Sequence, residues 1–158
     1  MFARILVAID DVSQIQDVLD LGKGVADPGQ SQVRALHLRL REVSGFHWYS
    51  RETSKDASLV ADAATFELRM AGLAAGGGVR YAAVDRVAEA IVAEAKAFDA
   101  DLIVLGHPTR GELLTRLFGS VTLRVIRRSR CPVLVAQPRR GGAKQAMSPG
   151  APTHESQA

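Results

Sequence analysis

A single cysteine, Cys131, stands among 158 residues, so no intrachain disulfide can hold this fold together. Aromatic residues make up only 5% of the chain, so a core has to be built from aliphatic side chains. The same scarcity leaves no basic stripe interleaved with aromatics, which argues against a nucleic-acid-binding surface. No apolar run approaches the roughly 20 residues that cross a bilayer. The opening Met1-Phe2-Ala3-Arg4 runs directly into a strand-like segment, without the charged, apolar and cleavage regions of a signal peptide. With one cysteine, this makes a cytoplasmic protein the expectation. Net charge is only +3, and part of it sits in Arg139, Arg140 and Lys144, a small cluster read as solvated. Histidine, cysteine and carboxylates nowhere fall at metal-ligand spacing. No Ser-His-Asp motif and no paired acid and base are readable, so the expectation is a protein that is not an enzyme.

What is present is an alternation of short apolar runs and helical patterns. Arg4 to Ile9 is near-continuously apolar, as suits a strand covered on both faces. Asp10-Asp11 follows, and Ser13 is a plausible cap for a helix carrying Ile15, Val18, Leu19, Leu21 and Val25. Either aspartate can cap that helix or face a site. Asp27-Pro28-Gly29 stops it. Val33 to Leu40 reads as the second strand. His37 within it is read as a packed or hydrogen-bonded residue rather than a ligand or base. Arg41 to Lys55 reads as a loop, whose Phe46, Trp48 and Tyr49 either cover a pocket or close the core. Asp56 to Ala75 reads as a long helix with an inward stripe of Leu59, Val60, Ala63, Phe66, Met70, Leu73 and Ala74. Gly76-Gly77-Gly78 follows a helix and precedes a strand, the reverse of a phosphate cradle, and reads as a helix stop and turn. Val79 to Val84 is the third strand. Asp85 to Phe98 is a helix with Val87, Ile91, Ala95 and Phe98 inward and Asp85 as a candidate cap.

The stretch Ala100 to Gln137 organises the rest. Leu102 to Leu105 is a buried strand that ends at Gly106. Leu113, Leu114, Leu117 and Phe118 fit one or two helical turns. Gly119-Ser120 then opens a helical pattern to about Arg128, with Val121, Val125 and Ile126 inward and Arg124 nearer solvent. Cys131, read as structural, starts a last short strand. A strand, a small-residue loop and a new helix start form an anion site, because unpaired N–H groups and partial positive charge converge there. From Pro138 the composition turns Gly/Ser/Pro-rich, with little to bury. Residues 138–158 are therefore expected to be a flexible or disordered tail after a single domain, 1–137.

Alternation of strand and helix implies a parallel sheet with helices on both faces. The stretch from Ala100 resembles the carboxyl-terminal half of a universal stress protein domain, of the wider adenine-nucleotide α-hydrolase-like group. Nucleotide-binding members carry Gly-x2-Gly-x9-Gly-[Ser/Thr] after a strand much like Ala100-Asp101-Leu102-Ile103-Val104-Leu105-Gly106. Gly106 matches the first glycine, Gly119 the third and Ser120 the hydroxyl, whereas Thr109 stands where the second glycine falls. The resemblance implies an α/β, Rossmann-like fold with a five-stranded parallel sheet of order 3-2-1-4-5. It implies ATP, with Mg, held by Asp10 on the adenosine part, a group among His37 to Arg39 beside the base, Leu38 being preferred, and Gly106, Thr109, Gly119 and Ser120 around the phosphates. It also implies a homodimer paired through the last strand, with at most slow or incidental ATP hydrolysis. Thr109 keeps open a second reading, a dimeric interaction module that binds no nucleotide. A third, an enzyme of the wider group, would need an extra catalytic domain, for which 158 residues leave little room.

Overall fold

A computed structural model describes residues 1–9, 15–44, 47–50, 52–106 and 115–137. The elements run β1 (Arg4–Ile9), α1 (Ile15–Val25), β2 (Gln32–Ser44), β3 (His47–Tyr49), α2 (Ser54–Met70), β4 (Ala74–Ala83), a 3-10 turn (Val84–Arg86), α3 (Val87–Ala97), β5 (Leu102–Gly106), α4 (Thr115–Arg128) and β6 (Val133–Ala136). Five strands form a parallel sheet in the order β4-β2-β1-β5-β6, which is 3-2-1-4-5 when the parallel strands alone are counted. β3 adds an antiparallel hairpin on the far end of β2, pairing Glu42 to Ser44.

The most apolar strands lie in the middle, because only there are both faces covered. Alternate residues of each strand serve opposite layers. Ile5, Val7, Ile9, Val33, Ala35, Leu102 and Val104 meet Val18 and Leu19 of α1 and Ala64 and Leu68 of α2. Leu6, Ala8, Leu36, Leu38, Ile103 and Leu105 meet Val87, Ala88, Ile91 and Ala95 of α3 and Val121 and Val125 of α4. Burying each large aliphatic side chain contributes about 1.5–3 kcal/mol. Asp101 sets the register of the central pair: its carboxylate accepts from the backbone N–H of Ala3 at 2.7 Å and of Arg4 at 2.8 Å.

Several expectations are corrected. Residues 41–44 and 47–49 form strand, because β2 runs past the end of β1 along β4 and then turns back as β3. Gly76, Gly77 and Gly78 lie inside β4, paired to β2, and are not the helix stop. Gly72 does that work. At φ +80° it takes the left-handed conformation that closes a helix, and its N–H bonds to the Arg69 carbonyl at 2.9 Å. Asp85 lies in the 3-10 turn and α3 has no side-chain cap.

The inward stripe of α2 is also corrected. Its buried face is Ala57, Ala61, Ala64, Thr65 and Leu68, whereas Leu59, Phe66 and Met70 are 57%, 65% and 72% exposed. The reason is spacing: Gly77 offers no side chain, and a Cβ there would overlap the Thr65 hydroxyl and come within 3.0 Å of the Ala61 carbonyl. Over Gly77 the helix lies so close to the sheet that only small residues fit between them. On α4, Val121 and Val125 are buried as expected, but Ile126 is half exposed.

Candidate site at the carboxyl ends of the first and fifth strands

β1 and β5 are hydrogen-bonded neighbours, with Ile5 beside Leu102 and Ala8 beside Leu105. β1 leads to α1, which covers one face of the sheet; β5 leads to α4, which covers the other. Two adjacent parallel strands whose connections leave in opposite directions open a crevice beyond their carboxyl ends. Its edges are Ile9 and Gly106, and Gly106 ends β5 as expected.

Of the anticipated site residues, Asp10 and Thr109 lie outside the described residues, although Asp10 directly follows Ile9 at the crevice. Gly119 and Ser120 fall in the second turn of α4, which begins at Thr115. The expectation that they open this helix is therefore corrected. Leu117 and Phe118 belong to this same helix, while Leu113 and Leu114 lie outside the described residues. Leu38 lies one residue beyond the last β1–β2 pairing, Ile9 with His37, so it stands beside the crevice. Its side chain is enclosed in the core on the α3 and α4 face.

A polar frame next to this crevice has no signature in the sequence. His37 is buried, as read, and its Nδ1 lies 3.1 Å from the carbonyl of Ile9, the last residue of β1. Its Nε2 lies 2.9 Å from both carboxylate oxygens of Glu52. The end of β1 is thereby tied to the segment leading into α2. Arg39 extends the frame: its Nε donates to the Glu52 carbonyl at 2.9 Å and its Nη1 to the Ser54 hydroxyl at 2.5 Å. Arg39 and Arg41 also stack on Tyr81, with guanidinium carbons 5.3 and 4.4 Å from the ring centroid. A hydrogen bond with Ser54, then one with Arg39, holds the Tyr81 hydroxyl below its usual range. Fifteen residues separate His37 from Glu52, and no local pattern links residues so far apart; only the fold joins them.

Burial, and then the Asp101 carboxylate, push the Cys131 thiol up, the opposite of an activated thiolate. Among the described residues no group of three or more His, Cys, Asp or Glu is placed to hold a metal ion. No described helix is long and apolar enough to cross a membrane.

The fold is a doubly wound α/β domain with a crevice at the β1–β5 switch point. The model of the universal stress protein family matches residues 1–137, and the chain belongs to that family. Solved structures agree on the fold. A universal stress protein family member from Burkholderia pseudomallei is 23% identical, with 84% of this chain and 94% of that one covered and a TM-score of 0.62. A universal stress protein in complex with cAMP is 20% identical, covering 86% and 97%, with a TM-score of 0.63. One from Archaeoglobus fulgidus in complex with dAMP is 22% identical, covering 85% and 98%, with a TM-score of 0.61. No curated protein matches the chain.

Proposed function

We propose that this protein binds an adenine nucleotide, ATP with Mg being the expected form, and acts as a cytoplasmic regulatory binding protein rather than an enzyme. The observation that carries the reading is the β1–β5 switch point, where the chain places Asp10 after one strand and Gly106 at the end of the other. The complexes with cAMP and dAMP support adenine nucleotide as the ligand class. In this reading Asp10 meets the ribose or base, and Leu38 flanks the base through its main chain. Gly106 and Thr109 bring peptide N–H groups to the phosphates, with Gly119 and Ser120 in α4 beyond them. The frame of His37, Glu52 and Arg39 keeps the crevice edge in place before the ligand arrives. Residues 138–158 are proposed as a solvated tail. A homodimer through β6, which pairs only with β5 in the sheet, accompanies the proposal.

Thr109 supports the competing reading, a module that keeps the fold and binds no nucleotide, because a branched side chain there restricts the backbone. The test is the nucleotide content of freshly purified protein, followed by melting in MgATP. A ligand at about 100 times its Kd stabilises by about 2.7 kcal/mol, a rise of several degrees. Empty protein whose melting temperature is unchanged at millimolar MgATP would refute nucleotide binding. Binding that survives Asp10→Ala and Ser120→Ala unchanged would refute the assigned residues.

A further inference from the structure

The inverted face of α2 points to an interaction surface independent of the nucleotide reading. Leu59, Ala63, Phe66 and Met70 recur at i, i+4, i+7 and i+11, so they form one straight stripe. The stripe lies opposite the buried Ala57, Ala61, Ala64 and Leu68. All four stripe residues are exposed. On its α1 side the stripe borders an apolar groove lined by Ile15, Leu19, Leu59, Val60 and Ala63.

We propose that this stripe is the contact surface for a second copy of the chain, with the two α2 helices packed antiparallel about a two-fold axis. The spacing is self-complementary. An axis passing midway between positions 64 and 65 sets Leu59 against Met70 of the second copy, and Ala63 against its Phe66. Each large ring then falls over the one small residue of the stripe, at the mouth of the groove, and both contacts occur twice. An isologous interface requires that reciprocity. The flank facing β4 carries Asp62 and Arg69, seven residues apart. In the antiparallel pairing, each Asp62 comes within about 3 Å, measured along the axis, of the level of the other copy's Arg69. Opposite charges therefore meet across the rim. A lipid surface fits less well, because the rim of the stripe mixes Asp56, Asp62 and Glu67 with Lys55 and Arg69, without the cationic excess that anionic headgroups attract.

Sedimentation of the full-length protein at about 10–100 μM tests the proposal, a range that reads contacts of moderate affinity. Phe66→Glu changes an exposed position, so its fold is checked by circular dichroism and melting. The expected result is a twofold drop in assembly mass, from dimer to monomer or from tetramer to dimer if β6 also pairs. Asp62→Arg and Arg69→Asp are each expected to weaken association several-fold, and the double variant to restore it. A wild-type mass equal to that of folded Phe66→Glu overturns the proposal, as does a double charge swap no tighter than its single parents. Binding of a monomeric wild type to anionic vesicles, lost in Phe66→Glu, overturns it in favour of a membrane partner.

Discussion

Gly77→Ala should show how closely α2 rides on the sheet. A Cβ built there overlaps the Thr65 hydroxyl and lies 3.0 Å from the Ala61 carbonyl and 3.5 Å from the Ala35 carbonyl. Thr65 is not free to swing away, since it donates to the Ala61 carbonyl at 2.7 Å in a buried position. Two of the three obstacles are backbone, so α2 must shift or Thr65 must give up its bond. Overpacking of this kind costs about 1–3 kcal/mol. Losing a glycine's freedom in the unfolded chain returns roughly 0.4–1 kcal/mol. The net expectation is a loss of about 1–2 kcal/mol, or roughly 3–8 °C in Tm for a domain of this size. Gly76→Ala and Gly78→Ala are the controls, because nothing lies within 4 Å of a Cβ at either and neither has a positive φ. Both should be neutral or slightly stabilising. Thr65→Ala in the Gly77→Ala background should recover about half of the loss, the Ala61 carbonyl being still in place, so the double cycle should show coupling of about 1 kcal/mol. Urea unfolding of the four single variants and the double one measures all of this. Equal stabilities for the three glycine variants would refute the close-packing account, and with it the reason given for the outward face of α2.

Other effects should separate as cleanly. Glu94 is 6% exposed and is held by Arg34 Nη1 at 2.9 Å and Arg80 Nε at 2.8 Å. Removing both arginines strands a buried carboxylate, so Arg34→Ala/Arg80→Ala should cost about 2–3 kcal/mol. Glu94→Gln should cost less, because the two guanidiniums can return to water; urea titration compares them. At the start of α2, Thr53 and Asp56 form a capping box, and the Thr53 hydroxyl, then its N–H, hold the Asp56 carboxyl below its ordinary 3.8. A depressed carboxyl stabilises the fold above its unfolded value and loses that contribution as pH falls through the folded one. Thr53→Ala removes the helix's N-cap hydroxyl and should cost about 1 kcal/mol, and the gap between wild type and Asp56→Asn should close as pH drops below 3.8, read by melting against pH.

The architecture was legible because it is written in local periodicity. Leu102 to Leu105 and Arg4 to Ile9 are too uniformly apolar for anything but central strands, and both are. Helices α1 and α3 bury the residues their spacing predicts. Misreadings came where one signal has two physical uses. A glycine run reads as a turn when taken alone, yet in β4 it is strand, and Gly77 within it is bare because a helix lies against it. An apolar stripe on α2 reads as inward, but alanines occupy the inner face.

Sequence by itself determined that this chain alternates strand and helix into an α/β domain with a glycine-ended apolar strand, since burial of apolar runs and the spacing of helical faces are properties of neighbouring residues; the strand order followed only from the family resemblance. Tertiary structure alone decided which face of α2 meets the sheet and which residues frame the crevice. Gly77 excludes large side chains from one helix face only once β4 lies beneath it. His37 and Glu52 become partners only when β2 passes beside the end of β1. Contacts of that kind depend on distances between segments remote in the chain, and no local pattern records them.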